Sequence, residues 1–223
     1  ISLDLPEDNN DFYQSAVAFG NFQNQLADYP AETLFETIPN FHNTPDRYRI
    51  LHETLDRARK DPALTHRVLD AAGEIAFAME REASAGKLQK LRDAGDLPTR
   101  VTHNDTKLNN VLLDEDSRSL LYVIDLDTVM PGLSAYDFGD SIRFGASTAA
   151  EDEEDLSKVE MSLELFEAFA SGFLSACGGR LTEKEIETLG FTLGAHPIAE
   201  VRRQAGIHKP SLVTLTETQG MVS

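Results

Sequence analysis

The stretch from His103 to Asp140 constrains this chain more than any other. Arg100-Val101-Thr102 is a short extended piece that enters His103-Asn104-Asp105-Thr106-Lys107-Leu108-Asn109-Asn110. Val111-Leu112-Leu113 follows, then the turn-forming Asp114-Glu115-Asp116-Ser117, whose Asx side chains bond their own backbone. Leu120-Leu121-Tyr122-Val123-Ile124 is a continuous apolar run rich in strand formers, and Asp125 ends it. Two short strands joined by a tight turn place Asn110 at the start of one and Asp125 at the end of the other. In an antiparallel hairpin those positions are neighbours, so both can offer oxygen to one hard cation such as Mg²⁺.

The loop has the form H-x-D-x-x-x-x-N. In the kinase catalytic loop of that form, the Asp takes the proton of the acceptor hydroxyl and the Asn holds a Mg²⁺. A lone H-x-D is weak; the Asp, the Asn and a later strand-end carboxylate together point to phosphoryl transfer. Asp105 is therefore the expected base, with Asn110 and Asp125 as the expected cation ligands. His103 is expected to organise the loop. Lys107 either neutralises the transferring phosphoryl group or is simply solvated. Asp127, two positions beyond Asp125, would share its face if the strand ran on, as a supporting or third metal carboxylate. Asp137-Phe138-Gly139 spells the protein-kinase metal tripeptide, but no apolar strand precedes it. Helix capping and support of the loop are the expected roles of Asp137 and Asp140.

These residues carry a family resemblance. The loop from His103 to Leu112, the segment Val123-Ile124-Asp125-Leu126-Asp127-Thr128-Val129-Met130-Pro131-Gly132 and Tyr136-Asp137-Phe138-Gly139-Asp140 resemble the aminoglycoside phosphotransferase/choline kinase superfamily, which has a protein-kinase-like fold. Within it they are most similar to N-acetylhexosamine 1-kinases. The similarity runs from about Phe12 to about Ala195. It implies an α+β fold: a mostly helical C-lobe with a small catalytic β-hairpin, over residues 1–195, with the catalytic loop at 103–110 and the metal segment at 123–128. Residues 196–223 lose helical periodicity and depart from the family pattern. The implied reaction moves the γ-phosphoryl of ATP, with Mg²⁺, to the anomeric hydroxyl of an N-acetylhexosamine. Aminoglycoside, choline, homoserine or fructosamine acceptors would keep the same site. A metal-dependent hydrolase using His103, Asp105 and Asp125 and a non-enzymatic nucleotide-binding C-lobe also stay open.

The sequence contains no Gly-rich phosphate loop and no strand-borne V-A-I-K lysine, the parts that clamp ATP in the N-lobe of a kinase. The expectation is a C-lobe whose N-lobe is largely absent from these 223 residues, inactive by itself.

The flanks read as helices. Phe12, Ala16, Phe19, Phe22 and Leu26 mark one from roughly residue 11 to 27. Thr44-Pro45-Asp46 starts another, with Thr as N-cap, and Asp61-Pro62 breaks it. Leu64, Val68, Ala71, Ile75 and Met79 begin a longer helix running toward Leu91. Val159, Leu163, Phe166, Phe169 and Phe173 form a further stripe, stopped by Gly178-Gly179, and Thr182-Glu183-Lys184-Glu185 is a capping box. Phe41-His42-Asn43-Thr44 is a helix-entry loop whose polar groups can also face a sugar.

A net charge of −18, from 38 acidic and 20 basic residues, argues against a nucleic-acid polymer as partner, which needs clustered Lys and Arg. An acidic metal cleft can still take nucleotide that arrives with Mg²⁺. Glu151 to Asp155 reads as an exposed approach to a helix. No apolar run approaches the ~20 residues of a membrane span, and Ile1-Ser2-Leu3-Asp4-Leu5-Pro6 is acidic where a signal peptide is basic. The single Cys177 excludes an intrachain disulfide, is expected to be a small buried side chain, and fits a reducing cytoplasm.

Overall fold

Two phenylalanine-rich helices form the spine of the molecule. The computed structural model describes residues 1–149, 153, 155 and 158–189. Helix α1 (Asn9–Gln25) carries Phe12, Ala16 and Phe19 at helical spacing, and α7 (Leu163–Ala176) carries Phe169 and Phe173. All five are fully buried. Phe12 meets Phe169 at 4.7 Å between ring centroids, and Phe138 meets Phe169 and Phe173 edge-on at 5.6 and 5.5 Å. Aromatic pairs in these tilted and edge-on arrangements add about 0.5–1.5 kcal/mol each beyond their area burial.

The two helices approach so closely that Gly20 is a packing requirement. A Cβ there would sit 2.7 Å from the Phe173 carbonyl oxygen and from the Ala176 Cβ. Backbone cannot yield as a flexible side chain can. Gly20→Val is therefore expected to destabilise the chain by about 1–3 kcal/mol through overpacking. A urea denaturation midpoint unchanged from the parent would show that the two helices can part without cost.

Helix α2 (Thr44–Lys60) starts one residue earlier than its cap signal implies. Asn43 is the N-cap, accepting from Asp46 N at 3.2 Å, so Thr44 and Pro45 are the first helical residues. The single long helix expected toward Leu91 is instead three: α3 (Pro62–Asp70), α4 (Ala72–Ala85) and α5 (Lys87–Asp93). Ala71 (φ −98°, ψ 19°) and Gly86 (φ −86°, ψ 6°) depart from helical geometry. The apolar periodicity persists across both breaks, so the sequence pattern alone hides them. Asp61 caps α3 by accepting from Ala63 N at 2.9 Å.

The sheet portion is two antiparallel ribbons. Strands β2 (Val111–Leu113) and β3 (Leu120–Val123) make the expected hairpin, with Val111 opposite Val123. Strand β1 (Arg100–Thr102) pairs with β4 (Met130–Gly132), Val101 facing Pro131. β4 contains a proline and a glycine and carries no strand signal; a Pro is tolerated in such an edge position because no donor is needed there.

Helix α6 (Ser134–Gly145) is buried along most of its length and lies under the loop at 103–110. Val159, assigned to the α7 stripe by spacing, precedes that helix and packs with Ala149, while Leu163 is exposed. Cys177, at the C-cap of α7, is buried, and burial pushes its thiol up to about 12. Helix α8 (Glu183–Leu189) begins with the expected capping box: Glu185 N donates to Thr182 Oγ1 at 3.2 Å and Thr182 N to the Glu185 carboxylate at 2.9 Å. The same carboxylate accepts from Arg100 at 2.7 Å, which ties α8 to β1. No helix among the described residues is long and apolar enough to cross a membrane. Residues 196–223 and most of Glu151–Asp155 lie outside the described residues.

Candidate active site

The loop at 103–110 is held through its backbone by two carboxylates of α6. Asp137 is fully buried and accepts from His103 N at 3.0 Å, Asn104 N at 2.8 Å and Gln23 Nε2 at 2.6 Å. Asp140 accepts from Thr106 N at 2.8 Å and pairs with Arg143 at 3.0 Å. Thr106 Oγ1 donates to the Asp137 carbonyl and Ser141 Oγ to the Thr106 carbonyl. Asp137 and Asp140 sit three apart, on one face of the helix. Both support the loop as expected, but neither caps α6, whose N-cap is Leu133 with no side-chain bond. Burial pushes the Asp137 carboxyl above its ordinary range, while the three N–H donors pull it back.

A second set of bonds fastens the loop from the other side. Asn104 takes a left-handed conformation (φ 67°), which Asn tolerates better than most residues. Its amide donates to the Thr128 carbonyl at 2.9 Å, and Thr128 Oγ1 donates to the His103 carbonyl at 2.7 Å. Gln23 and Ser141 carry no sequence signal of a site, and the motif segments that contain Asn104, Thr106 and Thr128 do not reveal their partners; only the folded chain does.

His103 is completely buried, with the edges of Phe19 and Phe22 against it. Its Nε2 lies 2.9 Å from the Ile124 carbonyl, which can only accept. Nε2 therefore bears the proton, and Nδ1 is left to accept from Asp105 N at 3.4 Å. The ring is committed on both sides, in keeping with an organising part.

Asp105 faces Asn110 and Lys107. Asn110 Nδ2 donates to the Asp105 carbonyl at 2.8 Å and to its carboxylate at 3.1 Å. Lys107 Nζ lies 3.5 Å from the other carboxylate oxygen. With Nδ2 so engaged, Asn110 Oδ1 has no hydrogen bond among the described residues. Ile124 N donates to the Asn110 carbonyl at 2.9 Å, so the direct neighbour of Asn110 is Ile124 and Asp125 comes one residue later. β3 has already ended there, and Asp125 adopts a left-handed conformation (φ 61°, ψ 62°). Its carboxylate is exposed and unpaired among the described residues. Asp127 does not share its face: Leu126–Thr128 is a 3-10 turn, not a continuing strand.

The donor set is thus one amide oxygen and one carboxylate, with Asp127 exposed nearby in sequence. No group of three or more His, Cys, Asp or Glu side chains among the described residues is arranged to enclose a metal. Few protein ligands, all oxygen, suit Mg²⁺, which keeps waters and takes its other ligands from phosphates. Residues 4–170 match the phosphotransferase enzyme family APH. The chain belongs to that family. Among solved structures it is similar to an aminoglycoside-3'-phosphotransferase of type VIII, at 19% identity and a TM-score of 0.42 over 84% of this chain. It is also similar to an ethanolamine kinase of Plasmodium vivax, at 14% identity and a TM-score of 0.46 over 98% of this chain. The chain spans 62% of the length of each.

Behind the loop, His42 is the second buried histidine. Its ring lies between Phe41, at 4.5 Å, and Tyr136, at 4.9 Å, and neither ring nitrogen has a hydrogen-bond partner. Burial lowers its pKa from 6.5 to about 4, against the upward pull of Asp140 and of the Asn104 backbone, which lies nearby without the alignment of a full hydrogen bond; Arg47 and Arg143 add to the lowering. The folded state therefore holds a neutral ring where the unfolded chain takes up a proton. Its share of stability is complete above about pH 6.5 and is lost as pH falls toward about 4, a difference of about 3 kcal/mol. In urea melts of the parent and His42→Phe, the stability of the parent relative to the variant is expected to fall by about 3 kcal/mol across that window as pH falls. Parallel pH profiles would mean that His42 titrates normally in the folded chain.

Proposed function

We propose that this chain is the acceptor- and metal-binding part of an ATP-dependent small-molecule kinase whose acceptor is a sugar hydroxyl, specifically the anomeric hydroxyl of an N-acetylhexosamine. The reading rests chiefly on the Asp105–Asn110 hydrogen bond. It fixes the carboxylate for proton abstraction and engages the amide nitrogen, which leaves the amide oxygen available to a cation.

Asp105 orients the acceptor hydroxyl and takes its proton as the new O–P bond forms. An anomeric hydroxyl is more acidic than an ordinary alcohol, so a carboxylate suffices as base. Asn110 Oδ1 and the Asp125 carboxylate would hold Mg²⁺, with Asp127 as a further oxygen source. Mg²⁺ held there would supply positive charge to offset that developing on the phosphates. Lys107 places positive charge beside Asp105, where the transferred group passes. His103, Asp137 and Asp140 keep the loop rigid, so positioning supplies much of the rate.

Residues 1–223 hold no Gly-rich loop or V-A-I-K lysine, so this chain by itself is expected to bind ATP loosely and turn over slowly. The test is ADP release, with product identified by phosphorus NMR. It is run on this chain and on any longer product of its reading frame. Acceptors are N-acetylglucosamine, N-acetylgalactosamine, galactose, choline, ethanolamine and an aminoglycoside. Acceptor-dependent release with an N-acetylhexosamine 1-phosphate as product is the expected result. Release that needs no acceptor would favour a hydrolase, and release only with an amine or aminoglycoside would replace the sugar.

A further inference from the structure

The segment at 36–43, α5, β4 and Tyr136 of α6 enclose a pocket of ≈ 210 Å³. Its floor includes Asn104, the residue before Asp105. We propose that this pocket holds the ring of a single uncharged sugar and selects the acceptor, with His42 reading one of its hydroxyls. The acceptor role rests on the kinase reading above; the binding itself does not.

Four observations carry the assignment. First, His42 lines the pocket, is 9% exposed, and makes no well-aligned hydrogen bond through either ring nitrogen, with the Asn104 backbone near enough to favour its protonated form. Leaving a buried donor or acceptor unmade costs about 1–3 kcal/mol, and a ligand hydroxyl, which both donates and accepts, removes that cost. The nitrogens are covered in this state, so a turn of the ring toward the space it already lines accompanies binding. Second, the remaining polar groups are only partly used. Asn40 Oδ1 accepts from Asn43 at 3.0 Å, which leaves the Asn40 amide nitrogen available. Gln89 Nε2 donates to Asp93 at 3.0 Å, which leaves its oxygen available. Among the described residues the Arg92 guanidinium pairs with Asp93 alone, at 3.5 Å.

Third, the charges decide the class of ligand. The pocket has one carboxylate, Glu36, and one guanidinium, Arg92, beside a neutral imidazole. A polycationic aminoglycoside needs several carboxylates. An anion would meet Glu36 with a single cation to hold it. The two aromatic rings of the lining, Phe41 and Tyr136, both pack on the His42 ring, at 4.5 and 4.9 Å, so they do not stand free to face each other across an ammonium. An uncharged polyol matches separate donors and acceptors with no net charge. Fourth, the volume is below the ≈ 300–1,000 Å³ of drug-sized sites, which suits one ring and excludes a multi-ring ligand.

The test measures binding without nucleotide. N-acetylglucosamine, N-acetylgalactosamine, galactose, ethanolamine, an aminoglycoside and inorganic phosphate are titrated into the 223-residue chain, followed by the ring resonances of His42 in NMR. The expected result is saturable binding of a neutral sugar that moves the His42 signals. His42→Phe and Arg92→Gln should each weaken it about tenfold, the effect of one lost hydrogen bond. Should His42→Phe not fold, Arg92→Gln, at a half-buried position, carries the test with the His42 signals as readout. No neutral sugar bound, a preference for the amine, aminoglycoside or phosphate, or an affinity indifferent to both positions would overturn the proposal. Sugar binding with no acceptor-dependent ADP release from any longer product of the reading frame would instead remove the kinase reading and leave the pocket standing. Release driven by ethanolamine alone would do the reverse.

Discussion

Asp105→Asn is expected to lower turnover by about 10²–10⁴-fold, the usual worth of a positioned general base, while leaving the fold intact. The expectation comes from the chemistry of the pair Asp105–Asn110. The substituted amide keeps the size of the carboxylate and can still accept from Asn110 Nδ2, so the loop loses none of the bonds that Asp137, Asp140 and Thr128 make to it. What it loses is basicity. The proton of the acceptor hydroxyl then has no neighbouring carboxylate of the loop to receive it, and both nitrogens of His103 are engaged. The measurement is ADP release at saturating sugar and nucleotide in the most active form of the protein, beside a thermal melt. A folded Asp105→Asn protein with near-parental turnover would falsify the assignment of the base.

How far the sequence reveals such a site depends on which interactions are local. The hairpin was readable because Val111-Leu112-Leu113 and Leu120 to Val123 flank a turn of Asx residues, and each signal lies within a few positions of the next. Helix α1 and the core of α7 were readable from phenylalanines at helical spacing. The capping box at Thr182 was equally local. By contrast, β4 exists because β1 is beside it; Met130-Pro131-Gly132 has no strand preference of its own. The breaks at Ala71 and Gly86 interrupt a pattern whose period survives them, so packing, not periodicity, sets them. Asp127 was placed on the face of Asp125 by extending the strand, and the left-handed backbone at Asp125 turns the chain out of it.

The polar lattice under the loop shows the same limit. Gln23, Thr106 and Ser141 are ordinary helix and loop residues by sequence. Their roles come from meeting Asp137, Asp140 and the loop backbone across separations the sequence pattern does not encode. The side chains that do the chemistry are legible from motif, whereas those that hold them are legible only from contact.

Asp125 and Asp137 are the two carboxylates that a reader of the sequence could exchange, and their environments predict opposite phenotypes. Asp125 is exposed and makes no hydrogen bond or ion pair among the described residues, so Asp125→Ala should cost only the about 1 kcal/mol by which Ala tolerates the left-handed backbone less well than Asp. It should weaken Mg²⁺-dependent nucleotide binding, because an anionic oxygen is lost from a site with few others. Asp137 is fully buried and satisfies two backbone N–H groups of the loop and the Gln23 amide. Asp137→Ala leaves those donors buried without a partner, at about 1–3 kcal/mol each when no water enters. The expected loss is about 3 kcal/mol or more, enough to lower the melting temperature by several degrees in a domain of this size. Both variants are titrated with Mg²⁺ at fixed ATP, well below either melting transition. The pattern to look for is a metal defect in Asp125→Ala and a stability defect in Asp137→Ala. If Asp137→Ala shows the larger metal defect, the tripeptide Asp137-Phe138-Gly139 reads literally after all, and the cation belongs at α6 and not at the end of the hairpin.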